Sequence, residues 1–260
     1  MRINFDSNYN TPISFSSWRR CVYKDPKASF KELAYRNDTS IFRDDLLWDD
    51  FIKFLKFKYE DLKKVNVYNY ACSNGSESFS LVMKLLSCLG KKDSEKFFPI
   101  IAKDVDSLAI ENAKSNSIPI DWFEKSKINL HTDNNFAEYF TKDFSSNWYD
   151  GETVFYCPVK ELTENVRFSK GDIMKDYKRI EPENSVVLAR NFWPYLLEDI
   201  PRLILRLAEQ MGKNSTLVIG GFDVNGCKNY NIDLRQELLK KGFVATDDPL
   251  VFTKHHQLRY

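Results

Sequence analysis

Glycine is scarce in this chain, and its scarcity argues against one common kind of nucleotide site. Only 9 of the 260 residues are glycine. None of them forms the Gly-x-Gly-x-x-Gly turn with which dinucleotide-binding folds approach a pyrophosphate. The turn that follows the first predicted strand reads YACSNGSE, from Tyr70 to Glu77, and contains a single glycine. The sequence therefore does not predict a dinucleotide site of the NAD type.

Cysteine and histidine are too few and too scattered to indicate a metal centre. The 5 cysteines are widely spaced, and the 3 histidines are His131 and the adjacent pair His255-His256. This pattern suggests neither zinc nor a disulfide framework, so we expect reduced thiols, a cytoplasmic location and no bound metal. Apolar runs are short, and the first residues lack the apolar core of a signal peptide. We therefore expect no membrane insertion.

An excess of charge of one sign is also missing. The chain has 38 basic and 37 acidic residues, a formal net charge of +1. Nucleic-acid-binding proteins usually present a broad basic surface, so we expect no DNA partner and disfavour RNA as a substrate. With 43% hydrophobic and 15% aromatic residues, the chain can bury a full core.

From Val65 onward, strand-like and helix-like segments alternate, which predicts an α/β fold with a mostly parallel sheet. The expected strands cover residues 65–70, 97–102, 166–168, 185–189 and 216–220, followed by a hairpin of 243–245 and 250–253. The expected helices cover residues 78–89, ended by Gly90, then a helix capped by Asp106, then 197–211 and 233–241. The polar and aromatic segment at about residues 115–162 breaks the alternation and is interpreted as an insertion.

Four predicted strand ends carry side chains suited to an adenosine-containing ligand, at the edge where such folds bind ligands. The small-residue turn follows the first strand, and Asp104 follows the second, where an acid can bond both hydroxyls of a ribose. Asp172 and Ile173, after the third, suit an adenine amino group and ring. Residues 188–195 add polar and aromatic groups near a reacting centre.

The turn favours one adenosine ligand over the others. Glu77 lies at the start of the helix that follows the turn, and its carboxylate repels phosphate. S-adenosylmethionine has ribose hydroxyls, a sulfonium and an ammonium, but no phosphate. The sequence therefore predicts S-adenosylmethionine as the cofactor.

Five ordered segments resemble the CheR-type chemoreceptor glutamate O-methyltransferases over about residues 37–252. They are NDTSIFRD (37–44), CSNGSESFS (72–80), IIAKDVDSLAIENAK (100–114), VKEL to DI (159–173) and LARNFWPYL (188–196). These are similar to the family patterns N-x-T-x-F-F-R-[DE], C-S-T-G-E-E-P-Y-S, A-T-D-I-D-x-x-x-L-x-x-A, V-K-x-E-L-R-x-x-V-x-F-x-x-x-[ND]-L and F-C-R-N-V-x-I-Y-F.

The resemblance implies a Rossmann-like class I methyltransferase fold with a mostly parallel seven-stranded sheet flanked by helices. It implies that residues 1–60 form a helical segment that closes over the cofactor. Residues 61–260 would form the S-adenosylmethionine-binding domain, with a small subdomain inserted at about 115–162. About 36 residues precede the first matching segment, so we expect the helical N-terminal domain to be shorter than the family's.

The resemblance also implies the residues of the site. Those expected to bind the cofactor are Asn37, Thr39, Arg43, Ala71, Glu77, Asp104, Asp172, Ile173, Arg190 and Asn191. Those expected to act in catalysis are Arg43, which would orient the acceptor carboxylate, and Tyr195, which would lie beside the acceptor.

The implied reaction is in-line methyl transfer to a glutamate carboxylate of a protein acceptor, which releases S-adenosylhomocysteine. We expect the enzyme to be a monomer. Phe192-Trp193-Pro194 replaces a more aliphatic stretch of the family and would reshape the acceptor wall beside Tyr195. Two alternatives stay open. One is a methyltransferase of the same fold that acts on a small molecule or RNA, and the other is a non-catalytic regulator that binds S-adenosylmethionine or S-adenosylhomocysteine.

Overall fold

The computed structural model describes residues 39–143 and 153–254, which contribute strands to two sheets. The strands are β1 (Asn66–Tyr70), β2 (Ile100–Asp104), β3 (Ile118–Asp121), β4 (Phe140–Lys142), β5 (Thr153–Pro158), β6 (Val166–Lys170), β7 (Ser185–Ala189), β8 (Thr216–Val218), β9 (Phe243–Ala245) and β10 (Val251–Lys254).

Helices lie between most of these strands. They are α1 (Trp48–Lys58), α2 (Ser76–Ser94), α3 (Ser107–Lys114), α4 (Trp122–His131), α5 (Phe136–Tyr139), α6 (Lys160–Glu164), α7 (Ile173–Asp176), α8 (Ile200–Gln210), α9 (Gly221–Lys228) and α10 (Leu234–Lys240). Short 3₁₀ turns cover Glu95–Phe97, Tyr177–Arg179, Trp193–Tyr195 and Leu197–Asp199. No described helix has the length and apolarity needed to cross a membrane.

The larger sheet has seven strands in the order β6-β2-β1-β7-β8-β10-β9. Its strand pairs are parallel except for those of β10, which runs antiparallel to β8 and β9. The predicted mostly parallel, seven-stranded sheet is thus confirmed. After β6 the chain returns to start β7 on the other side of β1, so the strand order reverses between β1 and β7. Such a reversal leaves a crevice at the carboxyl ends of the two strands.

Both faces of this sheet are buried. Val67 of β1 belongs to a core on one side that includes Phe51 of α1 and Phe79 of α2. Its neighbour Tyr68 belongs to the core on the other side, with residues of α8 and α10. This alternation follows from the two-residue period of a strand. Because β7 is buried at all of its positions, it reads as a continuous apolar run, as expected of a central parallel strand.

The segment at about residues 115–162 contains the smaller sheet, with antiparallel strands in the order β3-β5-β4. Burial alternates along β3, where Ile118 and Ile120 are buried and the residues after them are partly exposed. The buried side chains join the core of the α1 and α2 face. The one-sided burial explains why this stretch reads as polar in the sequence.

Several element boundaries differ from those predicted. Strand β2 starts at Ile100 rather than at residue 97, because Glu95–Phe97 form a 3₁₀ turn. Helix α2 starts at Ser76 rather than at residue 78. Gly90, with φ +73° and ψ 170°, interrupts its helical geometry where the helix was predicted to end, and a second short helical stretch follows to Ser94.

Helix α9 was not predicted at all. It contains Gly221, Asn225 and Gly226, which are poor helix formers. Gly226 is nonetheless required where it stands, because a Cβ atom there would overlap the ring of Pro194. Packing against the loop after β7 thus outweighs the low helix propensity of this segment.

Candidate active site

Strand register brings the predicted site residues to one edge of the sheet. Tyr70, the last residue of β1, pairs with Lys103 of β2 and with Ala189, the last residue of β7. Asp104 at the end of β2 pairs with Lys170 at the end of β6. The residues that follow these strands therefore emerge side by side at the crevice where the strand order reverses.

The turn after β1 has an unusual backbone. Ala71 and Ser73 have left-handed φ values of +58° and +50°, and Gly75 has φ +89°. A Cβ atom on Gly75 would lie 2.6 Å from Cζ of Phe168, so both the dihedral angle and the space require glycine there. The turn therefore has a defined conformation, and it places the backbone N–H of Ser73 next to Asp104 at the end of β2.

Asp104 joins this turn to the next strand. Its Oδ2 accepts a hydrogen bond from the Ser73 backbone N–H at 2.8 Å, and its Oδ1 accepts one from the Asp106 N–H at 2.9 Å. The side chain is 5% exposed, and burial raises the pKa of this carboxyl. Each carboxylate oxygen has a second lone pair, so both can still accept from ligand hydroxyls.

A group of buried and half-buried charged side chains lies beside the turn, and we call it the charge cluster. Its members are Arg43, Asp45, Glu77, Arg190 and Asp223. Arg190 is 2% exposed and donates from Nη1 to Oε2 of Glu77 and from Nη2 to Oδ1 of Asp45, each at 2.5 Å. Burial opposes the charge of Arg190, but the carboxylates outweigh it and raise its pKa. Burial also raises the pKa of Glu77, and Arg190 opposes that rise.

Asp223 holds the loop after β7. It is fully buried, and its oxygens accept hydrogen bonds from the backbone N–H groups of Asn191 at 2.7 Å, Gly220 at 2.8 Å and Trp193 at 3.1 Å. Burial raises the pKa of Asp223 to about 7. Asn191 has a left-handed φ of +65°, a conformation that these hydrogen bonds stabilise.

Arg43 belongs to the segment before α1, which forms one side of the charge cluster. It is half-buried, and burial lowers its pKa although Glu77 raises it. Its carbonyl oxygen accepts a hydrogen bond from the indole of Trp48 at 3.1 Å. Its sequence neighbour Asp44 forms an ion pair with Lys127 at 2.5 Å.

The other predicted site residues have varied surroundings. Thr39 is buried at the start of the described chain, and Asn37 lies outside the described residues. Asp172 caps α7 by accepting from the N–H of Met174 at 2.9 Å, a role that was not predicted for it. Ile173 is buried in the core of the α8 face.

The stretch expected to reshape the acceptor wall is mostly buried. Trp193 is fully buried, and its indole donates to the carbonyl of Ala189 at 2.6 Å. Pro194 is buried against Gly226. Trp193 and Pro194 therefore do not face the acceptor side directly, whereas the partly buried Phe192 stacks on Trp193 with ring centroids 5.6 Å apart. That this stretch reshapes the wall stays a prediction. The exposed aromatic residues here are Tyr195 and Phe222, whose ring centroids are 6.1 Å apart.

Two members of the charge cluster were not found from the sequence. Asp45 lies next to a matching segment, and Asp223 lies in a glycine-rich stretch that was not predicted to be helical. A carboxylate three residues after a strand-ending glycine is a signal for a helix start. This signal was overlooked because the glycines of the segment argued against a helix.

The polar groups at this edge fit an adenosine cofactor without phosphate. Within the described part of the chain, Oδ1 of Asn191 is buried without a hydrogen-bond partner. It is therefore an acceptor suited to an N–H donor of a ligand, such as an ammonium. The carboxylates of Asp104 and Glu77 suit hydroxyls and positive charge and would repel phosphate. This set of groups fits S-adenosylmethionine.

Comparison with known proteins agrees with this chemistry. The family model described as "CheR methyltransferase, SAM binding domain" matches residues 37–232. The chain is also similar to a chemotaxis protein methyltransferase of Listeria monocytogenes serovar 1/2a, with 26% identity over 215 residues that cover 80% of this chain and 74% of that protein.

Solved methyltransferases show weaker likenesses. The N-methyltransferase NodS of Bradyrhizobium japonicum WM9 has a TM-score of 0.40 and 11% identity, covering 82% of this chain and 100% of that one. Magnesium protoporphyrin IX methyltransferase of Synechocystis PCC 6803, solved with bound S-adenosylhomocysteine, has a TM-score of 0.37 and 12% identity, covering 80% and 82%. Neither likeness is close enough to inform the substrate. From the family match over most of its length, the chain belongs to the CheR family of S-adenosylmethionine-dependent methyltransferases.

Proposed function

We propose that this methyltransferase esterifies a glutamate carboxylate of a protein acceptor. The observation that carries the proposal is the half-buried guanidinium of Arg43 within the charge cluster. A guanidinium presents a planar pair of donors that matches a carboxylate. It is therefore suited to orient an acceptor carboxylate at the edge where the cofactor would bind.

Residues from four strand ends would hold the cofactor. Asp104 would accept the ribose hydroxyls, Asp172 and Ile173 would contact the adenine, and Asn191 would accept an N–H donor of the methionine part. The left-handed turn at Ala71 would let the backbone approach the ligand. Thr39 and Asn37 would close over it from the segment before α1.

The reaction needs orientation more than proton transfer. S-adenosylmethionine supplies an electrophilic methyl group on its sulfonium. A glutamate side chain, with an ordinary pKa of about 4.3, is already ionised at neutral pH and needs no general base. His131 packs its ring against Phe42 with centroids 4.4 Å apart and is given no catalytic role. Holding the acceptor in line in a water-poor site can lower the activation free energy by roughly 7–11 kcal/mol.

Acceptors of other classes are less well supported. The net charge of +1 does not favour RNA. The non-catalytic alternative rests on the altered stretch Phe192-Trp193-Pro194, of which Trp193 and Pro194 are buried in packing, so it has little support from the exposed surface. Tyr195 and Phe222, which are 39% and 47% exposed, leave an aromatic surface for a side chain of the acceptor.

Methyl labelling tests the proposal. Purified enzyme is incubated with S-adenosylmethionine labelled in its methyl group and with a lysate of the source cells. The label that precipitates with protein is then treated with mild alkali. We expect volatile methanol to be released, because carboxyl methyl esters hydrolyse under these conditions and N-methyl groups do not. Alkali-stable label, nuclease-sensitive label, or label confined to the acid-soluble fraction would contradict a protein carboxylate as the acceptor.

A further inference from the structure

Two carboxylates outside the predicted site hold the loop that carries Arg190 and Asn191. Asp223, in the first turn of α9, accepts backbone N–H groups of Asn191 and Trp193. Asp45, in the segment before α1, accepts from the Arg190 side chain. The main chain and the side chain of this loop are thus held by different carboxylates from different parts of the fold.

The same two carboxylates also meet at the turn between β8 and α9. Asp223 accepts from the N–H of Gly220 at 2.8 Å, and Asp45 accepts from the N–H of Gly221 at 2.7 Å. The glycines leave the space that this approach needs. A Cβ atom on Gly220 would lie 2.8 Å from Oδ1 of Asn191, and one on Gly221 would lie 3.3 Å from Cβ of Asp45.

Burying the carboxylate of Asp223 costs free energy, which suggests more than a structural role. Asp223 is fully buried, and placing a carboxylate there requires several hydrogen bonds to offset its lost hydration. Those hydrogen bonds go to a loop in which Asn191 has φ +65°. They leave the Oδ1 atom of Asn191 buried without a partner among the described residues. A left-handed residue fixed by these hydrogen bonds, with a buried acceptor left unpaired beside the crevice, indicates a geometry held for a ligand.

We propose that Asp223 and Asp45 are positioning residues of the methyl-transfer site. They join the β8–α9 turn to the loop after β7 and fix the orientation of Arg190 and Asn191 toward the bound cofactor. The inference rests on the proposed roles of Arg190 and Asn191 at the cofactor. Neither carboxylate is expected to touch the cofactor itself.

Binding of S-adenosylhomocysteine to Asp223→Asn, measured by calorimetry, tests this inference. An amide can replace one carboxylate oxygen, but its NH₂ group would face a backbone N–H, so one side of the loop is released. We expect affinity to fall by about tenfold or more. Asp45→Asn, whose side chain is 27% exposed in the parent structure, is expected to weaken binding in the same direction. If Asp223→Asn does not fold, the affinity of Asp45→Asn for S-adenosylhomocysteine tests the inference instead.

Two controls separate positioning from general loosening. Asp233→Asn makes the same chemical change at the start of α10, where Asp233 accepts from the N–H of Gln236 at 3.1 Å. Leu238→Ala removes a fully buried side chain of the same core face and is expected to lower the melting temperature at least as much as Asp223→Asn. Both controls should bind S-adenosylhomocysteine within roughly threefold of the wild type.

A spectroscopic signal reports the loop directly. The chain has 5 tryptophans, so an ¹⁵N-labelled sample should give one indole N–H resonance for each. The resonance of Trp193, assigned by its loss in Trp193→Phe, is expected to shift in Asp223→Asn and to stay in place in Leu238→Ala. A loss of stability alone would not produce that difference.

The outcomes are distinguishable. Weakened binding in both aspartate variants, with normal binding in both controls and a shifted Trp193 resonance, supports the inference. Asp223→Asn binding like the wild type, weakening no greater than in Leu238→Ala, or an unmoved Trp193 resonance overturns it and leaves the proposed function intact. Absence of binding by the wild type overturns the cofactor site and this inference together.

Discussion

The guanidinium of Arg190 donates to the carboxylate of Glu77 at 2.5 Å and thereby joins the loop after β7 to the first turn of α2. These residues are 113 positions apart in the sequence, and they follow the two strands between which the strand order reverses. The pair closes one wall of the crevice in which ligands of such sheets bind. The pair also connects the site to the hydrophobic core, because Cζ of Arg190 lies over the buried Trp48 ring, 5.9 Å from its centroid.

Breaking this pair should destabilise the protein. In Glu77→Gln, Arg190 keeps only Asp45 as an ionic partner at hydrogen-bond distance among the described residues. Removing one partner of a buried ion pair costs about 3–5 kcal/mol of unfolding free energy. Urea denaturation measures the change. Asp50→Asn, which removes the exposed pair with Lys53, serves as the control and should cost about 1 kcal/mol or less. Similar losses in the two variants would contradict the structural role given to Glu77.

The turn after β1 should not tolerate a side chain at Gly75. Gly75→Ala places a Cβ atom 2.6 Å from Phe168 on a backbone with φ +89°, which combines a left-handed penalty of about 1–2 kcal/mol with overpacking of about 1–3 kcal/mol. The same Gly75→Ala change in a Phe168→Ala background is the matched control, since the contact is relieved there and the backbone penalty is unchanged. Urea denaturation should show the larger loss for Gly75→Ala when Phe168 is present. Equal losses in the two backgrounds would mean that Phe168 does not confine the turn.

The stability of the protein should depend on pH through Asp223. Burial raises the pKa of Asp223 to about 7, so the folded state favours the protonated carboxyl. Its contribution to stability is complete below the unfolded pKa of about 3.9 and is lost as the pH rises through about 7. The charged or titratable groups that act with it are Arg190, Arg43 and Cys227.

Asp223→Asn cannot titrate at this position and isolates the effect. The unfolding free energy of the wild type minus that of the variant should fall between pH 5 and pH 7, by at most about 1.4 kcal/mol per pH unit, and then level off. Urea denaturation at a series of pH values measures the difference. A difference that does not change with pH, or that grows as the pH rises, would be inconsistent with a buried carboxyl of raised pKa.

Arg43 should matter for turnover more than for cofactor binding. Arg43→Ala is expected to leave the affinity for S-adenosylhomocysteine within about tenfold while removing most methyl transfer, because the acceptor carboxylate loses its planar partner. Arg43→Lys keeps the charge but not the fork and should recover only part of the activity. Arg202→Ala, at an exposed ion pair, should behave like the wild type. Unchanged turnover of Arg43→Ala with saturating acceptor would exclude this role.

Sequence patterns predicted the sheet well where local signals were strong. Strand β7 has the predicted bounds of 185–189, because a central parallel strand reads as a continuous apolar run. The predicted cap of α3 is confirmed by the hydrogen bond from the Leu108 N–H to Asp106 at 2.9 Å. Family resemblance added residues such as Arg43 and Arg190, which no periodicity would have singled out.

The remaining features depend on contacts between distant parts of the chain. Asp223 lies 32 residues from Asn191, and Asp45 lies 145 residues from Arg190, so only strand order brings them together. Helix α9 forms despite its glycines because Gly226 lets Pro194 pack. The burial of Trp193 likewise depends on the loop after β7 folding onto the α8 face of the sheet.

Calorimetric titration with S-adenosylhomocysteine tests most directly the claim that the cofactor binds at the carboxyl ends of β1 and β2. The wild type should bind with a micromolar dissociation constant. Asp104→Ala should bind about tenfold more weakly or not at all, because it loses the acceptors for the ribose hydroxyls. Asp106→Ala removes the cap of α3, worth about 1 kcal/mol of stability, and should bind normally. Absence of binding by the wild type, or equal binding by wild type and Asp104→Ala, would contradict the assignment of the site.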